Sequence, residues 1–279
     1  YRVTAFDTAT FTNESFFSDS QPADSPIHSS RVNWYVNDTA TAADSYTYAG
    51  GSDTSYGEGT ATKPFRTISR AMQFVTAGDT VFADAGLYAE TVVLGVDSVT
   101  LAGKDSGATV IDPPGANTTA GLYGIYADTQ VGLTIKNFGV TGAYDGIHFY
   151  NVDLSTITQD SAGACGNHGI YLRVNSDTNT LRSNSADSNI VDGFRLDASD
   201  FNLLDSNTAR ANSVGFDLQT GSDTNTLRSN TADSSALNGF RLVSADTNLL
   251  EGNTARWTGG NQYSLNSASA TNTLRSNTA

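Results

Sequence analysis

The amino-acid sequence predicts an all-β fold, a right-handed parallel β-helix built as a single-stranded solenoid of about nine coils. Three observations lead to this prediction. Asparagine recurs at a fixed spacing of roughly 23 residues, apolar and polar residues alternate in short runs, and the 3.6-residue period of helical repeats is absent from the repeated units. A repeat of this length holds three short strands separated by turns.

The repeat is clearest in the second half of the chain. The segment from Ser176 to Asn184 recurs unchanged from Ser222 to Asn230. We expect the recurring asparagines to be structural, because asparagine tolerates left-handed backbone angles in turns and stacked inward amides can hydrogen-bond along the axis. The two asparagine series are Asn179, Asn202, Asn225, Asn248 and Asn272, and Asn184, Asn207, Asn230, Asn253 and Asn277.

Apolar residues alternate with polar ones after a recurring glycine, as in Phe194-Arg195-Leu196, and a period of two indicates a strand with one buried face. Charged residues also recur at the coil spacing, with the sign alternating from one coil to the next. We expect solvated ion-pair ladders rather than a catalytic group. The two charge columns are Arg182, Asp205, Arg228, Glu251 and Arg275, and Asp187, Arg210, Asp233 and Arg256.

The N-terminal part of the chain differs from the repeats. Residues 1–34 carry no repeat signature and are predicted to form an extended arm, followed by a β-helix domain over residues 35–279 with regular repeats over about 124–279. Pro64 and the apolar residues after it predict a short helix over about 64–75 that caps the open edge of the solenoid. The arm or capped end of one subunit could dock on the open coil of another, which predicts a head-to-tail homo-oligomer or filament.

Composition narrows the function classes. The formal net charge of −14 opposes binding to nucleic acid, and no apolar run is long enough to span a membrane. One cysteine excludes an intrachain disulfide framework, and an acidic, Thr-rich and Asn-rich chain is typical of a secreted or cell-surface protein. Three sequons predict glycosylation at Asn13, Asn37 and Asn117.

Several motifs carry a family resemblance. Those beginning at Tyr35, Gly51, Lys63, Gly78 and Gly86 read Tyr-Val-Asn, Gly-Ser-Asp, Lys-Pro-Phe-Arg-Thr-Ile, Gly-Asp-Thr-Val and Gly-x-Tyr-x-Glu. This order resembles the opening of pectate-lyase-like β-helix proteins, and the later coils resemble the carbohydrate-binding and sugar-hydrolase repeats of NosD-type periplasmic proteins. The resemblance covers residues 35–279. It implies the fold, and it is compatible with lyases, epimerases, hydrolases, tailspikes, adhesins and non-enzymatic surface proteins.

Outward-facing residues of the middle coils form the candidate site. Aromatic rings that stack on sugars stand there beside arginines that neutralise uronate carboxylates, so we expect glycan binding. The catalytic residues are unknown, with His148, Tyr171 and Arg195 as candidates; His168 at a turn is a weaker one. The predicted glycan-binding residues are Tyr126, Asp128, His148, Tyr150, Tyr171, Arg173 and Arg195.

Two function classes stay open. The first is a non-catalytic extracellular solenoid, structural or adhesive, that binds glycan; an ordinary solvated strand face would explain the same residues. The second is a lyase, epimerase or hydrolase acting on an acidic glycan, in which His148 or Tyr171 is the acid or base. The acidic cluster of calcium-dependent pectate lyases and the Asp-Pro-His-Asp motif of mannuronan epimerases are missing from this face. No cofactor or metal is predicted, with calcium left open.

Overall fold

The chain winds into a parallel β-solenoid with three sheets. The structure, a computed structural model, describes residues 33–54, 58–266 and 268–279. Every strand pair in the sheets is parallel, and each strand pairs with the equivalent strand one coil before and after it. One sheet has ten strands and the other two have eight each, in agreement with the predicted number of coils.

Sheet A contains β1 (Asn33–Val36), β2 (Thr80–Ala83), β5 (Thr100–Gly103), β8 (Thr134–Lys136), β11 (Thr156–Thr158), β14 (Thr180–Arg182), β17 (Leu203–Asp205), β20 (Thr226–Arg228), β23 (Leu249–Glu251) and β26 (Thr273–Arg275). Sheet B contains β4 (Val92–Leu94), β7 (Tyr123–Asp128), β10 (Asp145–Tyr150), β13 (Ile170–Arg173), β16 (Asp192–Asp197), β19 (Val214–Gln219), β22 (Asn238–Val243) and β25 (Tyr263–Asn266). Sheet C contains β3 (Gly86–Tyr88), β6 (Thr109–Ile111), β9 (Gly139–Val140), β12 (Ser161–Ala162), β15 (Ser185–Asp187), β18 (Thr208–Arg210), β21 (Thr231–Asp233) and β24 (Thr254–Arg256).

The core is a column of apolar side chains inside the three sheets. Phe194 and Phe216 stack with ring centroids 4.7 Å apart, and Phe216 and Phe240 follow at 4.8 Å. All three rings are fully buried. The glycine before each ring allows close approach between coils, since a Cβ at Gly193 would lie 2.8 Å from both the Gly215 carbonyl oxygen and the Ala209 Cβ.

The asparagines form hydrogen-bonded ladders inside the turns, as predicted. Asn202 Oδ1 accepts from the Asn179 N–H at 2.8 Å, and Asn225 Oδ1 accepts from the Asn202 N–H at 2.8 Å. The expectation that the asparagines themselves take left-handed angles is wrong. The preceding residues take them, as Ser183 and Ser206 do with φ of 56° and 60°. Asparagine is therefore selected by its amide hydrogen bonds.

The charge columns lie in register, as predicted. Asp205 contacts Arg182 on one side at 3.2 Å and Arg228 on the other at 3.1 Å. In the second column Asp233 lies 3.9 Å from Arg210 and 3.7 Å from Arg256. Because the arginines are about half exposed, each pair adds little stability.

Helix α1 (Ile68–Met72) is shorter than the predicted 64–75. Thr67 is the N-cap, and its side-chain oxygen accepts from the Arg70 N–H at 3.2 Å. Phe65 lies before the helix, where it forms a β-bridge with Val36 and stacks on Trp34. Its apolar side chain therefore packs against the first strand of the solenoid and is not part of the helix.

The helix packs against β1, β2 and β4, and its role as a cap stays a prediction. Strand β1 begins just before residue 35, the predicted start of the β-helix domain. The predicted arm, over residues 1–34, falls outside the described residues up to residue 32. No helix in the described ranges is long and apolar enough to cross a membrane.

Candidate functional site

The outer surface of sheet B brings all seven predicted glycan-binding residues onto one face, which we call the sheet B face. His148 is paired in register with Tyr126 on one side and Tyr171 on the other. Tyr171 in turn aligns with Arg195. A second column on the same face contains Asp128, Tyr150, Arg173 and Asp197.

His148 is not a solvated surface histidine, although it lies on the outer side of the sheet. His148 is only 3% exposed, and its Nδ1 lies 2.8 Å from Asp145 Oδ2. Asp145 Oδ1 accepts from Asn167 Nδ2 at 2.9 Å and from the His168 N–H at 3.1 Å. The ordinary solvated interpretation of this position is therefore wrong, because neighbouring rings and a buried carboxylate enclose the imidazole.

The carboxyl group of Asp145 is held in its ionised form. Burial by itself raises the pKa, but the hydrogen bond from His148 and the nearby charges of His168 and His148 outweigh it. The pKa of Asp145 is therefore lowered from its ordinary value. An ionised Asp145 can accept a hydrogen bond from the Nδ1–H of His148, and this contact fixes the orientation of the imidazole.

A second histidine and carboxylate stand one coil further along the face. His168 is also buried, and its Nδ1 lies 3.2 Å from Asp192 Oδ2. The rings of His148 and His168 flank Tyr171, with centroids 4.7 Å and 4.8 Å from it. The sequence predicts His168 at a turn and as a weaker candidate. Its contact with the Tyr171 ring depends on how this turn packs against the sheet, and no sequence motif indicates that packing.

Two tyrosines of the face, Tyr171 and Tyr126, are poor bases. Burial, followed by the charge of Asp197, raises the pKa of Tyr171 to about 12, and its hydroxyl donates to Asp197 Oδ2 at 3.2 Å. Burial, followed by the charge of Asp128, also raises the pKa of Tyr126 to about 12. Both phenols are protonated at neutral pH, so neither is available as a base, and each can donate a hydrogen bond or a proton.

Arg195, predicted to stabilise a substrate carboxylate, is already neutralised by the protein. Its guanidinium lies 3.3 Å from Asp192 and 3.5 Å from Asp217, and Asp217 also binds Arg241 at 2.7 Å. Burial lowers the pKa of Arg195, but the charges of Asp217 and Asp192 outweigh this effect and raise it. This buried network fixes the face and leaves Arg195 little free charge for a ligand.

Arg173 is different, because it is exposed and forms no ion pair with any residue that the structure describes. Every other arginine in the described strands lies within 4.0 Å of a carboxylate oxygen, whereas Arg173 does not. Its guanidinium carbon lies 5.8 Å from the centre of the Tyr150 ring. Arg173 and Tyr150 thus present a free cation beside a half-buried aromatic ring.

One loop packs beside the start of the sheet B strands. Residues 113–122 connect β6 to β7, and Leu122 accepts from the Tyr144 N–H through its carbonyl at 2.7 Å. Gly166 permits this packing, since a Cβ there would lie 1.9 Å from the Asn117 carbonyl oxygen. The loop therefore lies next to Asp145 and the strands that carry the site.

The predicted glycosylation sites have different environments. Asn37 is fully buried, and its Nδ2 contacts Asp44 Oδ2 at 2.8 Å and the Ala49 carbonyl at 2.9 Å, so the folded chain does not present it to solvent. Asn117 is half-buried in the 113–122 loop. Asn13 lies outside the described residues.

A cavity of about 490 Å³, which sequence reasoning did not identify, lies beside the start of α1. Its carboxylates already bind backbone groups. Asp53 accepts from the Arg66 N–H at 2.8 Å, and Glu90 accepts from the Ile68 and Ser69 N–H groups at 2.8 Å each. In the part of the chain that the structure describes, no group of three or more His, Cys, Asp or Glu side chains is arranged to hold a metal ion.

Comparisons with solved structures show the same fold at low sequence identity. An alginate lyase from Paenibacillus sp. str. FPU-7 superposes with a TM-score of 0.62 at 12% identity, covering 75% of this chain and 92% of the lyase. The A-module of the Azotobacter vinelandii mannuronan C-5 epimerase AlgE4 gives 0.60 at 19% identity, covering 71% and 68%. The periplasmic alginate epimerase AlgG gives 0.56 at 19% identity, covering 80% of this chain and 57% of that one.

A search of curated proteins found no match. At the family level, residues 106–255 match the family described as the right handed beta helix region. This match covers more than half of the chain and includes the coils that carry His148, Tyr171 and Arg173. The protein therefore belongs to the right-handed β-helix family.

Proposed function

We propose that this protein is a non-catalytic solenoid that binds an acidic polysaccharide along the sheet B face. The observation that carries the proposal is the unpaired guanidinium of Arg173 beside the Tyr150 ring. A guanidinium can bind a carboxylate through two parallel hydrogen bonds, and an aromatic ring can stack on the apolar face of a sugar. A uronate residue offers both features in one ring.

The rest of the face supports a fixed binding surface. The rings of Tyr126, His148 and Tyr171 form one row, which runs beside the second column of the same face. Because eight parallel strands stack at the strand spacing of about 4.8 Å, the face repeats its side chains at a regular interval, which suits an extended polymer. The net charge of −14 opposes a polyanion at long range, but charges beyond about 8 Å are screened at physiological salt.

The structural neighbours add support of a weaker kind, since their names refer to alginate and one of them is periplasmic. We propose accordingly that the protein acts outside the cytoplasm, in the periplasm or after secretion. Self-association in a head-to-tail manner is a further proposal from the sequence, and the segment it invokes lies mainly outside the described residues.

Calorimetric titration with defined oligomers of alginate, polygalacturonate and an uncharged glucan tests the proposal. We expect binding to a uronate oligomer and none to the glucan. Arg173→Gln should weaken the uronate affinity about 10- to 100-fold, as expected for one charge-assisted contact of about 1.5–3 kcal/mol. Arg182→Gln is the matched control, because Arg182 is an exposed strand arginine on sheet A. Equal affinity of the wild type for charged and uncharged oligomers would refute the proposal.

The second candidate function is a lyase or epimerase of the same polymer, and the His148–Asp145 pair favours it. A carboxylate on Nδ1 prepares Nε2 as a base for a proton beside the uronate carboxylate, and Tyr171 is a protonated donor next to it. We rank this candidate second because His148 is 3% exposed and the structure presents little of its ring to a substrate.

Product analysis separates the two candidates. Ultraviolet absorbance detects the unsaturated uronates of a lyase, and proton NMR detects inverted uronates of an epimerase. The binding function predicts no product from any of the polymers. Product formation that is lost in His148→Ala and retained in Arg182→Gln would establish the enzyme instead.

A further inference from the structure

One rung of the second asparagine ladder contains an aspartate. Asp160 occupies the place that Asn184, Asn207 and Asn230 occupy in the following coils. It donates its N–H to Asn184 Oδ1 at 3.0 Å, and Asn184 donates its own to Asn207 Oδ1 at 2.9 Å. Asp160 Oδ1 accepts from the Phe138 N–H at 2.7 Å, so one carboxylate oxygen does what an amide oxygen does elsewhere.

With Oδ1 in the place of the amide oxygen, the other oxygen, Asp160 Oδ2, corresponds to the amide nitrogen of the asparagine rungs. In the next rung Asn184 Nδ2 donates to the Ile157 carbonyl at 2.9 Å and to Asn207 Oδ1 at 3.0 Å. The equivalent acceptors for Asp160 are the carbonyl of Ile135, which pairs with Ile157 in the sheet, and Asn184 Oδ1. An oxygen without a hydrogen would therefore face two acceptors.

No hydrogen bond to this oxygen is present among the described residues. Asp160 is 2% exposed, and its Oδ2 is buried. The charged residues of the strands above and below, Lys136 and Arg182, hold outward positions, and neither pairs with it. Burial raises the pKa of Asp160 well above its ordinary value, although the backbone N–H groups of Phe138 and Thr158 lower it.

We propose that Asp160 is a neutral carboxylic acid at neutral pH, and that its Oδ2 hydroxyl donates the ladder hydrogen bond that an asparagine NH₂ donates in the later rungs. The proton is then a structural part of the solenoid. Unfolding exposes the carboxyl group to water, where it ionises, so unfolding releases this proton. The coil around Asp160 is thereby a pH-sensitive element that weakens as the solution becomes alkaline.

Urea unfolding of the whole chain between pH 5 and pH 9 tests the proposal with Asp160→Asn. Asparagine supplies the same donor without a proton equilibrium. The ratio of the wild-type unfolding constant to that of Asp160→Asn should rise about tenfold per pH unit until the folded carboxyl group ionises. A ratio that stays constant over this range would overturn the proposal.

The reciprocal variant Asn230→Asp provides an independent check three coils away. It should add a second proton that is released on unfolding. A variant that is folded at pH 5 but unfolded at pH 9 would also support the proposal. Carbonyl-detected NMR gives a direct readout. At pH 7 the carboxyl resonance that disappears in Asp160→Asn should have the chemical shift of a protonated acid, and the shift of an ionised carboxylate would contradict the assignment.

Discussion

His148 Nδ1 lies 2.8 Å from Asp145 Oδ2, and both side chains are almost completely buried on the outer side of a sheet. Because this pair is buried although it lies on the outer side of the sheet, neighbouring side chains of the sheet B face must cover it. The contact fixes the orientation of the His148 ring between the rings of Tyr126 and Tyr171.

Asp145→Asn should destabilise the fold at neutral pH by about 1–3 kcal/mol, because an NH₂ group would face donors that now bind a carboxylate. The pKa of Asp145 is lowered in the folded chain, so the carboxylate contributes its full stability above the unfolded pKa near 4. This contribution is lost as the pH falls through the lower folded pKa. Urea unfolding of both chains at pH 7 and pH 3 measures the effect. Equal differences at the two values would show that the charge has no role.

Removing one ladder amide should have a large effect. Asn207 accepts from the Asn184 N–H and donates to the Leu181 carbonyl, so Asn207→Ala leaves buried partners unsatisfied. We expect a loss of about 2–4 kcal/mol, from two groups at about 1–3 kcal/mol each with partial relaxation. Asn261→Ala is the control, because Asn261 is exposed and lies outside the left-handed region, and it should change stability by less than about 0.5 kcal/mol. Thermal or urea unfolding compares the two.

Five aspartates form a row of like charges that sequence analysis did not recognise. Each carboxylate accepts the N–H of the next coil, as Asp177 does from Asp200 at 2.7 Å. Burial, and then the charges of Asp200 and Asp153, raises the pKa of Asp177. The row consists of Asp153, Asp177, Asp200, Asp223 and Asp246.

Asp177→Asn keeps the hydrogen-bond acceptor and removes one charge from this row. Because the folded pKa is raised, the wild type loses stability as the pH rises above the unfolded pKa near 4, and the variant does not. The variant should therefore be more stable at pH 7, by about 0.5 kcal/mol after solvent screening, and equal at pH 3. Melting temperatures at both values test this sign, and a less stable variant at pH 7 would reverse it.

Phe216→Ala should cost about 3–5 kcal/mol, because the ring is fully buried between Phe194 and Phe240. Phe201→Ala provides a matched control on a phenylalanine that is 60% exposed at a turn. Differential scanning calorimetry of both variants measures the contrast, and a similar small shift in both would argue against a continuous core stack.

The fold was predictable because stacking makes the sequence itself periodic. Asn179, Asn202 and Asn225 recur at the coil spacing since each must bond the next, and Arg182 and Asp205 alternate because they become neighbours. The start of α1 was predicted less well, because Phe65 is apolar for a reason unrelated to the helix. Long-range packing of that kind leaves no local pattern.

The candidate site was predictable only in part. The columns of Tyr126, His148 and Tyr171 follow from the register, and the structure places them side by side. The burial of His148, the neutralised state of Arg195 and the part played by His168 depend on contacts between residues separated by a coil or more. No spacing rule in one sequence encodes those contacts.

The most direct measurement of the central claim follows the side-chain Nε–Hε signal of Arg173 by NMR during titration with an alginate oligomer, with the signal assigned by its absence in Arg173→Gln. Glycan binding at Arg173 predicts a saturable shift of this signal, and no comparable shift of the Arg182 signal. A titration that moves neither signal, or that moves both equally, would contradict binding of an acidic glycan at the sheet B face.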